Sequence, residues 1–347
     1  MEDPNAALGI ALGITAGAFL GSFALPMKKT SRWQWENTWI MYSFWALIVL
    51  PVVLAFLTIP GFPGIYGSVS AGTILAVFLF GAGWGVANVG FGTGLKLLGL
   101  ALGTAIVLGL NNAIGAIVPL IRDHPEDFFK PVGLAITTGV AVMLVGIAVC
   151  SVAGAKKGKA LRSSETESAR REGGVFVKGL IVCLVAGVFG AMFNFALIAG
   201  KPIEEQAVAA GATPLNAANA TWCLSLLGGF VVTLLYCLYL YKKNNSFRLF
   251  THKESKMNWL HTFLMGIMWF AGVAIYGMAV SKLGRLGPSI GWPVIQSMAV
   301  ASGNVWGIVT GEWKGTGKAP LRTMIAGLLL LFAGIVVIGW SSTLQDV

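Results

Sequence analysis

One kind of stretch recurs through this chain: about 20 apolar residues with few or no charges, then a short polar break. A helix needs roughly that many apolar residues to cross the hydrocarbon core of a bilayer. The pattern repeats ten times, at 7–26, 38–58, 72–95, 99–120, 131–152, 175–199, 216–241, 259–281, 287–310 and 321–341. In lipid only helices and closed barrels satisfy every backbone polar group. The alternation over roughly 10-residue segments that a barrel wall requires is missing. The sequence therefore predicts an all-α polytopic membrane protein with ten transmembrane helices. Composition excludes the alternative: only 11% of the 347 residues are charged, against about 25% in a soluble domain. The first span follows Glu2 and Asp3 without a basic n-region, so it reads as a retained helix rather than a cleaved signal peptide.

The net charge of +10 invites a nucleic-acid partner, but the basic residues lie in short breaks between spans. With the N-terminus outside, 19 of the 24 Lys and Arg fall on the inner side: Lys28, Lys29 and Arg32, then Lys96, then Lys156 to Lys178, Lys242 to Lys256, and Lys314, Lys318 and Arg322. Such asymmetry sets membrane orientation. It predicts both termini outside (periplasmic, if the bilayer is a bacterial inner membrane) and no nucleic-acid partner. Trp33, Trp35, Trp39, Trp259 and Trp313 are expected in an aromatic belt at the inner interface. Cys150, Cys183, Cys223 and Cys237 all lie inside apolar spans, without paired ligand spacing. They read as small buried hydrophobes, neither disulfides nor a metal site.

The chain also repeats itself. At an offset of 185, Phe78, Leu79, Gly81, Trp84, Phe91, Gly92, Leu98 and Gly99 meet Phe263, Leu264, Gly266, Trp269, Tyr276, Gly277, Leu283 and Gly284. At 170, Gly9, Ala16, Gly17, Phe19 and Phe23 meet Gly179, Ala186, Gly187, Phe189 and Phe193; at 188, Gly139 and Gly146 meet Gly327 and Gly334. These matches divide the chain into a first five-helix repeat (1–153), a charged cytoplasmic linker (154–174) and a second repeat (175–347). Five is odd, so the second copy must enter the membrane from the opposite side. A 5+5 inverted repeat is a design of secondary transporters, with the substrate near the midplane between the copies.

Polar side chains within spans are costly and tend to face a cavity or a partner helix. Asn88, Asn111, Asn112 and Gln296, with Tyr276 and the ring faces of Trp84, Trp269 and Trp292, form the expected substrate site. A sugar needs this mixture of amides and hydroxyls for its OH groups and an aromatic plate for its C–H face. The structural alternatives are interhelical hydrogen bonds for each Asn and simple packing for each Trp. Asn194, Asn219, Asn304, Tyr42 and Trp45 are further polar or aromatic positions in the spans. The many glycines permit close helix approach. All 14 carboxylates lie in loops or at span ends, which leaves Glu36, Glu312 and His261 as the gate or coupling groups, with inner-face salt bridges expected for the two acids. No GxSxG, HExxH, Walker lysine loop or His/Cys cluster is present, so the sequence predicts neither an enzyme nor a cofactor.

The blocks PMKKTSRWQWENTW (26–39), FLFGAGWGVANVGFGTGLKLLG (78–99), KPIEEQAVAAGATPL (201–215) and TGEWKGTGKAP (310–320) resemble those of the L-rhamnose–proton symporter family, of the drug/metabolite transporter superfamily, across nearly the whole chain. The resemblance implies an inner-membrane permease that imports L-rhamnose or a related deoxysugar by proton symport with alternating access. Its partners would be the sugar, a proton or Na⁺, and the bilayer, in a monomer or homodimer. Within transport, the alternatives are a Na⁺-coupled or uncoupled sugar permease and a drug or metabolite exporter; outside it, a membrane-embedded sensor or assembly subunit.

Overall fold

The computed structural model describes residues 5–98, 100–161 and 173–344. Much of the expected linker at 154–174 and the repeat position Gly99 lie outside the described residues. Among the described residues every regular element is helical. The α-helices are α1 (Ala6–Ser22), α2 (Trp35–Phe44), α3 (Leu50–Thr58), α4 (Ala71–Leu98), α5 (Leu100–Asp123), α6 (Pro131–Leu161), α7 (Gly173–Gly190), α8 (Met192–Ala199), α9 (Lys201–Ala209), α10 (Ala218–Asn244), α11 (Lys256–Lys282), α12 (Gly287–Val309) and α13 (Lys318–Ser341).

Nine stretches among the described residues are long and apolar enough to cross a membrane, from Ala6–Lys29 to Lys318–Leu344. The tenth expected span, 287–310, is the exception. It folds as α12, 23 residues long and hence about 34 Å, but it carries Pro288, Pro293, Gln296, Asn304 and several serines and does not reach the same hydropathy. The reason is its surroundings: α12 packs on α1, α5, α6, α11 and α13. A helix enclosed by protein can keep polar groups that a lipid-facing helix cannot.

Two expected spans are broken. The second is interrupted between α2 and α3 by a π turn at Trp45–Val49, where the Leu50 amide bonds back to the Trp45 carbonyl. Pro51 follows at once; it has no amide hydrogen and its ring crowds the preceding turn, so the helix widens there. The sixth breaks at Ala191, between α7 and α8. The short helix α9 follows directly.

The connecting segments collect at two ends. At one, Lys28 meets Thr310 and Glu312, Lys157 meets Glu312, Arg32 meets Glu254 and the Trp33 indole donates to the Leu249 carbonyl. At the other, Arg285 meets Asp127 and Glu126, and the Asn5 amide bonds the Lys282 carbonyl. The helix α12 runs from the second end to the first. Trp33 packs against Phe250 and Trp259, and Trp35 stacks on Trp39 at 5.0 Å. Trp313 does not join this belt: it is buried beneath the Lys157 ammonium, 5.0 Å from its ring centroid.

Helix association in lipid lacks a hydrophobic driving force and depends on close packing at small residues. Here α6 lies along α13 and α4 along α10; α1 fits between α11 and α12, and α7 against α4 and α5. A side chain at Gly139 would meet Ile338 and the Gly334 carbonyl, and one at Gly327 would meet Cys150 and the Gly146 carbonyl. Side chains at Gly81 or Gly228 would strike the backbone of Ser225 or Phe78. The glycines thus set the approach of these helices.

Candidate functional site

Five helices each send aromatic side chains to one place in the bundle: Trp84 from α4, Phe193 from α8, Trp222 from α10, Trp269 and Tyr276 from α11, and Trp292 from α12. Trp84 and Trp269, the pair matched by the repeat, touch with ring centroids 5.4 Å apart. Phe193 lies between them and the rest, 5.0 Å from Trp84, 4.9 Å from Trp222 and 6.0 Å from Trp292. Tyr276 completes the group beside Trp292 and Trp222. Such ring pairs contribute about 0.5–1.5 kcal/mol each beyond the area they bury.

The polar groups around the rings divide into used and unused. Asn194 is used fully: it accepts from the Tyr276 hydroxyl at 2.5 Å and donates to the carbonyls of Gly115 (2.8 Å) and Pro288 (3.3 Å). It thereby ties α8 to α5, α11 and the start of α12. Each such interhelical bond adds about 0.6 kcal/mol on average in a membrane bundle. The Trp292 indole donates to the Asn111 carbonyl at 3.0 Å, and the Asn112 amide reaches Ser297 only at 3.5 Å. The side-chain oxygens of Asn111 and Asn112, the Trp222 indole N–H and the Ser225 hydroxyl are buried with no partner among the described residues. An unmade buried hydrogen bond costs about 1–3 kcal/mol, and a group that donates to the Asn oxygens and accepts from the Trp222 N–H would recover it. Asn88 and Gln296 are half-buried, and neither has a hydrogen-bonding partner among the described residues.

The expected gate groups separate into three environments. Glu312 sits between Lys28 and Lys157, and the Lys157 hydrogen bond, then that of Lys28, holds its carboxyl below the usual range. Glu36 departs from the expectation of a salt bridge. It is buried at the start of α2, and one oxygen accepts from the Ser246 hydroxyl and from the Asn244 amide at 2.9 Å. Its own backbone amide also bonds the carboxylate, and neither oxygen has a cationic partner among the described residues. His261, on α11, has its Nδ1 buried without a partner among the described residues.

Sequence reasoning left Asp127 and Arg285 unpaired. Asp127 is 2% exposed and bound by Arg285, with Lys130 at 3.2 Å. Arg285, then Lys130, holds its carboxyl below the ordinary value despite burial. His124, Glu126 and Asp127 cluster closely enough to hold a metal, but the Arg285 guanidinium reaches all three. Phe193 and Trp222 were also missed as site residues, although Phe193 is the repeat mate of Phe23. That match carries a signal: Phe23 packs on Tyr42 at 5.2 Å much as Phe193 packs on Trp222 at 4.9 Å.

The model of the L-rhamnose-proton symport protein family matches residues 3–342 of this chain. The L-rhamnose-proton symporter of Yersinia pestis (strain Pestoides F) is 30% identical over 347 residues, an alignment covering 96% of this chain and 97% of that protein. That of Mannheimia succiniciproducens is 29% identical with the same coverage.

Proposed function

Because this chain belongs to the L-rhamnose-proton symport protein family, we propose that it imports a sugar, L-rhamnose first among candidates, together with a proton, by alternating access. The family is one of transporters, so the chain is not an enzyme. The observation that carries the sugar reading is the aromatic cluster ringed by unpartnered Asn111, Asn112 and Trp222 groups. Trp84 and Trp269 supply the plate for a C–H face. Asn111, Asn112 and Trp222 exchange hydrogen bonds with hydroxyls, while Tyr276 and Trp292 fix the walls; Asn88 and Gln296 flank the site.

Ten spans in two inverted halves, 1–153 and 175–347, fit the packing. Since α12 begins at the Arg285 end and finishes at the Glu312 end, it crosses as the other spans do. Contacts also recur under the repeat. Gly9 faces Leu283, and its mate Gly179 faces Leu98, the mate of Leu283. The Gly139–Gly334 approach maps onto Gly327–Gly146, as a two-fold relation demands. The excess of basic residues puts the Glu312 end in the cytoplasm and both termini outside, in a bacterial inner membrane.

For the coupled proton, Glu36 is the stronger group and His261 the weaker. Glu312 is tied to two lysines, whereas Glu36 is buried and has only neutral partners among the described residues. Labelled L-rhamnose uptake into proteoliposomes, with and without an inward proton gradient, tests the whole reading. Gradient-stimulated uptake is expected, and Trp84→Ala and Trp269→Ala variants that still insert should each lose it. Undiminished uptake in both would remove the aromatic site. No uptake by intact protein would move the search to other sugars.

A further inference from the structure

The contact between α5 and α12 does not stop at Asn112 and Ser297. Two turns back along α5 stands Thr104, and about two turns on along α12 stands Asn304. With Ser151 and Gly154 of α6 these line a cavity of about 110 Å³. A second cavity, of about 280 Å³, shares Gly154 and Asn304 and reaches the surface among Lys157, Gly158, Glu312 and Trp313. The larger lies near the lower limit of ligand pockets, about 300–1,000 Å³, and the smaller extends it inward. Voids lined only by apolar groups stay dry, whereas polar lining admits water or ligand.

The lining is mixed: Ile147, Cys150 and Val300 give the smaller cavity apolar walls, and the polar groups set among them, Thr104, Ser151 and Asn304, are all neutral. The Thr104 hydroxyl is buried with no partner among the described residues. Asn304 donates to the Val300 carbonyl at 2.9 Å and Ser151 to the Ile147 carbonyl at 2.8 Å, which leaves the Asn304 side-chain oxygen and the Ser151 lone pairs to accept. The charges at the mouth are engaged with one another, Glu312 with Lys28 and Lys157. Neutral donors and acceptors, an indole at the rim and charges already paired suit a neutral polyhydroxylated molecule better than an ion.

We propose that this cleft is a second sugar subsite, on the path between the aromatic site and the Glu312 end. Thr104, Asn304 and Ser151 hold the sugar's hydroxyls there, and the Lys28–Glu312–Lys157 bridge lies across the mouth. The inference rests on the sugar-transport reading above. Gly158 gives the means to test it, since a side chain added there meets nothing within 4 Å. The Gly158→Cys chain is reconstituted, and uptake is measured before and after a bulky water-soluble thiol reagent, with identically treated wild type as control.

Two results are expected: uptake falls about tenfold or more after labelling, and L-rhamnose slows the labelling itself. Thr104→Val, which keeps the side chain's shape, should raise the KM for uptake about threefold to tenfold, as loss of one hydrogen bond implies. The proposal is overturned if labelling neither blocks uptake nor slows with the sugar while the unlabelled protein transports. If the unlabelled protein takes up no L-rhamnose, the transport reading fails by itself. The subsite is then judged by labelling alone: protection by L-rhamnose keeps it, and an unchanged rate rejects it.

Discussion

The two ends of the bundle are built around acids at equivalent places. Asp127 and Glu312 differ by 185 positions, the same offset that relates Trp84 to Trp269, and each is followed by an aromatic residue, Phe128 or Trp313. Their surroundings diverge. Asp127 is 2% exposed and gripped by Arg285, whereas Glu312 is 41% exposed and shared between two lysines above a cavity. Guanidinium binding suits a desolvated carboxylate, and ammonium groups suit a hydrated one. The Arg285 end thus buries its acid, while the Glu312 end leaves its acid half-exposed. Two acids related by one sequence offset are held by different kinds of partner and to different depths.

The strongest way to break this comparison is Arg285→Met. It leaves Asp127 buried with Lys130 alone and should cost about 2–3 kcal/mol, less than for a fully enclosed pair because Arg285 is 42% exposed. A melting temperature equal to wild type would contradict the dependence of buried Asp127 on Arg285. Next in size is Glu36→Gln, which we expect to cut gradient-driven uptake about tenfold or more while leaving sugar exchange at equal pH in place. Gradient stimulation that survives would transfer the proton to His261.

Glu312→Gln should be mild, within about 1 kcal/mol of stability, because exposed ion pairs contribute little. It should instead speed thiol labelling at the neighbouring cavity; a large loss of stability would equate the two ends. The smallest expected effect concerns pH. Both acids are held below their ordinary values, so what they contribute is complete above about pH 4–5 and is lost only as pH falls through the lowered values. The melting-temperature difference between wild type and Glu312→Gln should therefore stay level from about pH 5 to pH 8 and shrink only under stronger acid. A change near neutrality would mean that Glu312 titrates during transport.

Much of this was legible in the sequence because membrane spans and repeats are local or periodic signals. The offset of 185 alone brought Trp84 to Trp269, which the structure joins at 5.4 Å. What stayed hidden depended on three-dimensional neighbours. Arg285 and Asp127 lie 158 positions apart, and no periodicity links them. The neutral partners of Glu36 come from the end of α10 and the turn after it, at Asn244 and Ser246. The polarity of α12 was plain to read, but its cause, enclosure by neighbouring helices, was not. The π turn beside Pro51 was equally out of reach, since a proline so placed can start, kink or widen a helix.

The contact between Trp84 and Trp269 has a mechanical meaning. Under a two-fold relation, a residue that touches its own mate stands on the rotation axis, and points on an axis do not travel. On the two-fold relation proposed above, the indole pair would sit at the fulcrum. A sugar held there would then move least, and the ends at Arg285 and Glu312, where the arms are longest, would move most.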